Sequence, residues 1–400
     1  MFLCFYTLAC LFFVIMLQMD KVKKNVLIIS NSGNRGGMEV HVLNLLEGLS
    51  EDFNLFVVCP KGNIVSEYEE YAKVINISPK IDVDPFYILR LIRLIKILDI
   101  DVVHTHELKA GINGLIASSI AKTPLKISHQ HTPISNWQIN ALKKKLDVFV
   151  YTMFVNLLSS FEIALTEEIK KQKMIEGIKE KKLVVIPNGV DLKALRMSDK
   201  VREENRGEVC ERYGINERSL ILGNISRLTV EKGHFLLIKA LRELKNDGKL
   251  ANVKILIAGD GDLKDEIVRM VKSYDLSDRV VFTGFVSEED KFKILSSLDV
   301  FVFPTLAEGF GIVLIEAMSF GVPCVVSDLP VLKDVALDSV FYFESGNEKD
   351  LEEKISKIVA DKSFRSSLSG KSTARVKKYD IKNFWESYNN LYENTLSVTS

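Results

Sequence analysis

The sequence predicts an α/β protein made of two Rossmann-like domains that face each other across a cleft. Past residue 24 the chain alternates short β-branched apolar runs with longer amphipathic stretches, which is the pattern of βα units around a parallel sheet. This series ends near residue 190 and restarts at Ser219. A chain of 400 residues is also long enough for two domains that each bury a core.

The first series begins with the strand VLIIS at residues 26–30, a glycine-rich loop, and the stretch MEVHVLNLLEGL, whose apolar residues have helical spacing. The further strands predicted in this series are LFVVCP ending at Pro60, DVVHTH from Asp101, LKISHQH from Leu125, EIALT from Glu162, and a short strand at 184–186 before the PNGVD turn. Ligands of open parallel sheets bind beyond the carboxyl ends of the strands, so functional residues are expected in the loops that follow them.

The second series contains the strands LILGNIS, VKILIAG, VVFTGF, DVFVFP and PCVVSD, which begin at residues 220, 253, 280, 299 and 323. We predict an apolar leader or membrane anchor at 1–24, an N-terminal domain at 25–190, a charge-rich linker at 191–213, a C-terminal domain at 214–372 and a helical segment at 373–400. In the last segment Phe384, Trp385, Tyr388 and Leu391 have the spacing of a packed helix.

The amino terminus allows two interpretations. Residues 2–17 are almost unbroken apolar sequence, about as long as the shortest membrane-spanning helices, and Lys21, Lys23 and Lys24 follow them. By the positive-inside rule these lysines hold the rest of the chain in the cytoplasm. Alternatively, Met19 is the true start and the first eighteen residues are an artefact of gene calling. Both interpretations predict a cytoplasmic globular part.

Composition excludes several classes of protein. The chain has 53 basic and 53 acidic residues, no net charge and 47% hydrophobic residues, which excludes a disordered chain and argues against an electrostatic nucleic-acid binder. The five cysteines form no C-x-x-C pair and the six histidines no H-E-x-x-H motif. A disulfide scaffold, a cysteine-rich zinc site and a zinc hydrolase therefore have no support.

The loop after the first strand contains Gly33, Gly36 and Gly37. A glycine-rich turn lets backbone amides and the positive end of the next helix approach an anion. The G-x-G-x-x-G spacing of a dinucleotide site is absent, and no acidic residue ends a second strand about 20 residues later, which argues against a dehydrogenase. The alternative is that these glycines only shape a tight turn.

Two further loops carry charged residues. In SRLTVEKG, Arg227 and Lys232 flank a loop before Gly233 starts a helix, an arrangement suited to a diphosphate unless both are ordinary surface charges. In TLAEGFG, Glu308 lies just before a helix that carries Glu316 among apolar neighbours. Carboxylates bind sugar hydroxyls well, and an ionised group in apolar surroundings needs a partner, which a ligand hydroxyl would supply. The alternative is that Glu316 faces solvent.

Four histidines lie at predicted strand ends: His104, His106, His129 and His131. A zinc site built from them is conceivable, but the alternation of side chains along a strand already explains the paired spacing. We therefore predict no metal site. One histidine that faces the cleft as a hydrogen-bonding or acid–base group is favoured instead.

Together these motifs resemble the retaining nucleotide-sugar glycosyltransferases of the GT-B fold, a large family whose members build bacterial polysaccharides, lipopolysaccharide cores and capsules. The resemblance covers residues 25 to about 380. It depends on GGMEVHVLNL, DVVHTH, VVIPNGVD, ISRLTVEKGH, LIAGDGDL, VVFTGFV and above all PTLAEGFGIVLIEAMSFGVPCVVSD. It implies a hexosyltransferase whose donor, a UDP-sugar or GDP-mannose, is held mainly by the C-terminal domain. The N-terminal domain is then the acceptor domain, for a glycan or lipid-linked acceptor.

The resemblance also implies residue roles. Four residues would be catalytic: His131, Arg227, Lys232 and Glu308. Arg227 and Lys232 would bind the donor diphosphate and neutralise the leaving group, and Glu308 would contact the sugar hydroxyls. The other donor-binding positions are Gly37 near the donor phosphate, Gly309 and the amides of Phe310 and Gly311 at the phosphates, and Glu316 at the ribose. His131 matches the family histidine best, although His129 can be aligned instead.

The mechanism that the resemblance implies is a front-face displacement without a carboxylate nucleophile, a cofactor or a metal. The family fold leaves two alternatives, a nucleotide-sugar 2-epimerase and a non-catalytic nucleotide-binding partner subunit. The leader and its lysines favour an acceptor at the cytoplasmic face of the inner membrane. The sequence ALKKKL at 141–146, followed by apolar residues 148–154, is either a membrane-contact element or a solvated helix face.

Overall fold

The structure is a computed structural model that describes residues 23–137, 139–195 and 197–399, without the side chains of 397–399. Almost all of the predicted apolar leader at 1–24 lies outside the described residues. Among the residues that are described, no helix has both the length and the apolar character needed to cross a membrane.

The strands form two sheets, and all the strand pairs described below are parallel. The strands of the first sheet are β1 (Lys24–Ser30), β2 (Phe53–Cys59), β3 (Lys73–Asn76), β4 (Val102–His106), β5 (Leu125–His129), β6 (Phe161–Ala164) and β7 (Leu183–Val185). Their order is β3-β2-β1-β4-β5-β6-β7. Strand β1 pairs with β2 on one side and with β4 on the other.

The second sheet has six strands. They are β8 (Leu220–Ile225), β9 (Val253–Ala258), β10 (Val280–Gly284), β11 (Val300–Phe303), β12 (Cys324–Ser327) and β13 (Phe341–Phe343), in the order β10-β9-β8-β11-β12-β13. Strand β8 pairs with β9 and, on its other edge, with β11. The chain builds the sheet outward from β8 in one direction and then from β11 in the other. Such a switch point is where open α/β sheets bind ligands.

Helices connect the strands of both sheets. In the first half they are α1 (Gly37–Leu49), α2 (Val65–Tyr68), α3 (Pro85–Ile97), α4 (Leu108–Ala121), α5 (Ala141–Leu158) and α6 (Glu167–Glu176). The later helices are α7 (Asp199–Tyr213), α8 (His234–Asn246), α9 (Lys264–Ser273), α10 (Glu288–Ser297), α11 (Ile312–Ser319), α12 (Pro330–Ala336), α13 (Glu348–Ala360), α14 (Lys362–Arg375) and α15 (Ile381–Thr399). Short 3₁₀ turns lie at Ile134–Asn136, Glu180–Lys182, Val230–Lys232 and Val376–Tyr379.

The central strands of the second sheet are apolar on both faces. In β11 all four residues are buried, and they alternate between two core clusters: Phe301 and Phe303 belong to one, Val300 and Val302 to the other. Side chains of alternate strand residues point to opposite faces, so each face of the sheet carries its own core. Burial on both faces explains why these strands read as continuous apolar runs in the sequence.

Residue contacts divide the chain into two compact units. The first contains the described residues through Ser128, the segment Leu158–Ser160 and the residues from Tyr392 on; the second contains His129–Leu157 and Phe161–Leu391. Residues 199–213 of the predicted linker form helix α7. In α15, Phe384 and Tyr388 are buried, as their spacing predicts.

Candidate donor-sugar site

The loop after β8 meets the loop after β11 at the switch point of the second sheet. Helix α8 begins directly after Gly233, whose φ is +69°. A Cβ at Gly233 would lie 1.9 Å from the carbonyl oxygen of Pro304, at the end of β11. Only glycine combines this backbone conformation with so close an approach, so Gly233 fixes the distance between the two loops.

An ion pair joins these loops. The Lys232 ammonium lies 2.5 Å from Oε1 of Glu308, and the two side chains are only 15% and 13% exposed. Beside the pair, the carbonyl oxygen of Glu231 accepts hydrogen bonds from the Thr305 hydroxyl at 3.0 Å and from the Leu306 amide at 2.7 Å. The structure thus brings together Lys232 and Glu308, two of the residues predicted from the sequence.

Arg227 is placed differently from Lys232. Its side chain is 73% exposed, and its guanidinium lies 3.5 Å from Oε1 of Glu231. An exposed pair of this kind holds the arginine only weakly, so its side chain is able to turn toward a ligand. The role of Arg227 in diphosphate binding stays a prediction.

The loop that contains Glu308 ends at the amino terminus of α11. Gly311 precedes the helix with a φ of +86°, and Phe310 is buried edge-to-face against Tyr379, with 5.6 Å between ring centroids. The first amides of a helix have no partner within the helix and favour negative charge. The Phe310 ring therefore anchors a turn whose backbone amides suit an anion.

Glu316 lies in α11 and is buried, at 6% exposure, so the alternative that it faces solvent is wrong. Its partner is Lys291 of α10, whose ammonium lies 2.7 Å from Oε1 of Glu316 and 2.7 Å from Oε2 of Glu288. Burial lowers the pKa of Lys291, but the two carboxylates outweigh it and raise that pKa above its ordinary value. The contribution of the Lys291 charge to stability is therefore present at neutral pH and is lost as the pH rises through this raised pKa.

Lys291 was not identified from the sequence. The sequence predicts that Glu316 needs a partner, but it assigns that role to a ligand hydroxyl. The partner present in the chain lies 25 residues earlier, within EEDKFKILSS, where Lys291 reads like any surface lysine of a polar helix. The partial neutralisation of Glu316 by Lys291 does not exclude a ligand at its other oxygen, and that contact stays a prediction.

The histidine loop, residues 129–132, begins at the last residue of β5. His129 and His131 are both buried, and their rings stack 3.8 Å apart. A Cβ at Gly309 would lie 2.7 Å from the carbonyl oxygen of His131 and 2.9 Å from the Thr132 hydroxyl. Gly309 therefore lets the histidine loop pack directly on the loop that carries Glu308.

A buried ion pair supports the histidine loop and was also missed in the sequence. The Lys173 ammonium lies 2.5 Å from Oε1 of Glu162, with exposures of 1% and 0%. The same carboxylate accepts hydrogen bonds from the Gln130 amide at 3.2 Å and from the Tyr151 hydroxyl at 3.0 Å. Lys173 lies in the polar helix EEIKKQKMIE, where nothing distinguishes it from exposed lysines such as Lys171.

The glycines after β1 have different roles. Gly33 and Gly62 allow two loops to touch, because a Cβ at Gly33 would lie 2.2 Å from the Pro60 carbonyl oxygen and one at Gly62 would lie 1.9 Å from that of Gly33. This supports turn-shaping as the role of Gly33. Gly37 starts α1, and a Cβ there would meet nothing within 4 Å. Packing therefore does not explain the glycine at 37, and its approach to a donor phosphate stays a prediction.

His234 lies directly after Gly233 and was not singled out in the sequence. It is 1% exposed, with Nε2 3.3 Å from Oγ of Ser226, and the Ser226 hydroxyl donates to Oδ1 of Asn224 at 3.0 Å. Because that hydroxyl proton is already used, we infer that Nε2 of a neutral imidazole donates to Ser226. Burial, followed by the nearby Lys232 charge, lowers the pKa of His234 from 6.5 to about 4.

Comparisons with known proteins agree with this fold and identify a class of enzyme. A family model described as glycosyl transferases group 1 matches residues 205–375, and one described as glycosyltransferase family 4 matches residues 35–194. The capsular polysaccharide biosynthesis glycosyltransferase CapM of Staphylococcus aureus is 25% identical over 360 residues, which are 86% of this chain and 91% of the relative.

Two further comparisons extend these matches. The UDP-Gal:alpha-D-GlcNAc-diphosphoundecaprenol alpha-1,3-galactosyltransferase of Escherichia coli is 27% identical over 292 residues, which are 70% of this chain and 73% of the relative. The crystal structure of Anabaena HepE in complex with UDP and glucose has a TM-score of 0.82 at 19% identity, and the match covers 93% of this chain and 100% of HepE. This structural likeness shows the fold.

The two Rossmann-like halves and these matches define the class of enzyme as a glycosyltransferase of the GT-B fold. The group 1 match at residues 205–375 and the family 4 match at residues 35–194 together identify the chain as a glycosyltransferase, the class of enzyme that its motifs resemble.

The buried Glu162–Lys173 pair predicts a specific pattern of stability. Lys173→Met leaves the Glu162 carboxylate buried without its ammonium and should cost about 3–5 kcal/mol, seen as a lower Tm. Adding Glu162→Gln to that variant should recover most of the loss. Lys171→Met, which removes an exposed lysine of the same helix, should leave Tm nearly unchanged. A double variant no more stable than Lys173→Met would contradict this account.

The lowered pKa of His234 predicts a pH effect on stability. In the unfolded chain His234 takes up a proton near pH 6.5, whereas in the folded chain it does so only near pH 4, so stability is lost as the pH falls between these values. The effect should reach roughly 3 kcal/mol at the acid end. In His234→Gln, whose side-chain amide can still donate to Ser226, Tm should fall less than in the wild type between pH 7 and pH 4.5. An equal fall in Tm for the variant and the wild type would show that folding does not lower the pKa of His234.

Proposed function

We propose that this glycosyltransferase is a retaining hexosyltransferase. It transfers a sugar from a UDP-sugar or GDP-mannose to a glycan or lipid-linked acceptor of cell-surface polysaccharide synthesis, at the cytoplasmic face of the inner membrane. The observation that carries the donor part is the largely buried Lys232–Glu308 pair at the switch point of the second sheet, beside the amino terminus of α11. It offers a cation to phosphate and a carboxylate to sugar hydroxyls.

The donor would be bound by groups that are already close to one another. Lys232 and Arg227 would contact the diphosphate, and the amides of Phe310 and Gly311 would add hydrogen bonds to it. Glu308 would exchange its bond to Lys232 for bonds to the sugar. UDP and glucose are both present in the HepE complex, which supports a nucleotide-sugar donor.

Glu316 would bind the nucleotide ribose. Lys291 contacts Oε1 of Glu316, so Oε2 is the atom that a ribose hydroxyl would reach. Lys291 lowers the cost of keeping this carboxylate ionised in apolar surroundings, and the ribose hydroxyl would add a second partner. Lys291 is then a positioning residue for Glu316.

The acceptor is proposed from the relatives. The name of the Escherichia coli relative specifies an acceptor sugar on diphosphoundecaprenol, and that of the Staphylococcus aureus relative specifies capsular polysaccharide. Both names support an acceptor that becomes part of a surface glycan. The name of the Escherichia coli relative also supports a lipid-linked acceptor.

Retention requires the acceptor oxygen to reach the anomeric carbon on the face from which the diphosphate departs. In the step we propose, a bond forms between the acceptor oxygen and the anomeric carbon, and the bond from that carbon to the phosphate oxygen breaks. The departing phosphate oxygen takes the acceptor proton. Lys232 and Arg227 stabilise the charge that develops on the diphosphate, so the chain's own cations supply the neutralisation and no metal or cofactor is required. His131 would contact the reacting sugar.

The role of Lys232 is tested by its removal. Lys232→Ala should lower kcat/KM for the nucleotide sugar on the order of 10²-fold or more, because a charge that stabilises the leaving group is lost. Lys239→Ala removes an exposed lysine from the adjacent helix α8 and should leave kcat/KM unchanged. If Lys232→Ala turns over like Lys239→Ala, the proposed site is wrong.

The reaction itself is tested on the natural chain. A panel of nucleotide sugars is first screened for saturable thermal stabilisation, which identifies the donor. With that donor, NMR of the transferred sugar should show the anomeric configuration of the donor, and a chelator should leave the rate unchanged. An inverted product would refute retention, and activity lost to chelator and restored by manganese would refute a metal-free reaction.

A further inference from the structure

We infer that the exposed apolar face of helix α5 lies on an anionic lipid surface. Five side chains form this face, which we call the α5 stripe: Leu142, Leu146, Phe149, Met153 and Leu157. Their exposed fractions are 79%, 58%, 65%, 38% and 69%. The inference rests on the proposed function in one respect: a lipid-linked acceptor explains why a membrane would lie beside this helix.

The five residues form one continuous surface. Their spacing of four, three, four and four residues keeps them within about 80° of one another around a helix of 100° per residue, along about 22 Å of its length. The opposite side of α5 is buried and includes Tyr151, Thr152 and Val155. The helix therefore buries one side and leaves a second, apolar side exposed.

An exposed apolar side is unusual for a surface helix. A surface helix ordinarily carries its apolar residues on the inward face only, and an apolar helix is ordinarily buried all round. Exposed apolar patches of this kind mark interaction sites, whereas single exposed apolar residues do not. The α5 stripe therefore requires a partner, and the charges around it decide which one.

The charges beside the α5 stripe are positive. Lys143 and Lys145 are exposed and lie on either side of it, while the Lys144 ammonium donates to the Ser135 carbonyl oxygen at 3.0 Å. The one acidic residue of the helix, Asp147, is on the buried side. Apolar residues flanked by lysines, with no exposed acid on the helix, suit the boundary between acyl chains and anionic headgroups.

The test uses a fluorescent reporter at one position of the full chain. Phe149→Trp is mixed with vesicles of phosphatidylglycerol and phosphatidylcholine, some made with brominated acyl chains, which quench tryptophan on contact. The control is Phe285→Trp, since Phe285 has a similar exposure of 68% and lies outside α5. The native tryptophan signal of the wild type is subtracted. The signal comes from one residue, so membrane binding through another segment, including residues 1–24, does not produce it.

With anionic vesicles we expect a blue shift and bromine quenching of the reporter in Phe149→Trp, and neither effect in the Phe285→Trp control. Adding Lys143→Gln and Lys145→Gln to the Phe149→Trp chain should raise the lipid concentration for half-maximal quenching roughly 30-fold, from about 1 kcal/mol per basic residue at an anionic surface.

Three results would each overturn the inference: an unquenched reporter in vesicle-bound Phe149→Trp protein, equal quenching in the control variant, or an unchanged midpoint after the lysine substitutions. A blue shift in Phe149→Trp that grows with protein concentration alone would also overturn it, because it would identify a second copy of the chain as the partner. None of these measurements requires catalytic turnover, so their failure would not count against the proposed transfer reaction.

Discussion

The ion pair between Lys232 and Glu308 is the interaction on which the proposed donor site depends. It joins the loops that follow two neighbouring parallel strands, β8 and β11, and Gly233 permits the close approach that brings the two charges together. In the chain without ligand each charge is neutralised by the other. In the function we propose, donor binding would replace this bond with two new ones, from the ammonium to phosphate and from the carboxylate to sugar hydroxyls. Until then the pair would keep both groups in position at little cost in stability.

The same arrangement recurs twice in the second compact unit. Glu316 is paired with Lys291, and Glu162 with Lys173; each is a buried carboxylate with an ammonium from a helix as its partner. Buried pairs add little to stability but are costly to break, so they fix the placement of the segments they join. The first pair orients a carboxylate in α11, and the second supports the histidine loop that packs on Gly309.

Much of the site could be predicted because the relevant signals are local. Apolar runs identify the central strands, and functional residues of open parallel sheets are expected in the loops that follow the strands, which is why Lys232 and Glu308 were singled out. The ammonium partners could not be predicted, because Lys291 and Lys173 lie in polar helices and their pairing is set only when helices pack. The exposure of Arg227 and of the α5 stripe likewise depends on tertiary structure. The edge strands β3 and β13, which are mostly only partly buried, were not identified from the sequence.

Calorimetric titration with UDP and GDP, without the sugar, tests the central claim most directly. Glu308 competes with the diphosphate for the Lys232 ammonium in this account. Glu308→Gln should therefore bind the preferred nucleoside diphosphate at least as tightly as the wild type, while Lys232→Ala should bind it at least tenfold more weakly, a loss of about 1.4 kcal/mol or more. Equal affinity of Lys232→Ala and the wild type for both nucleotides would contradict the account.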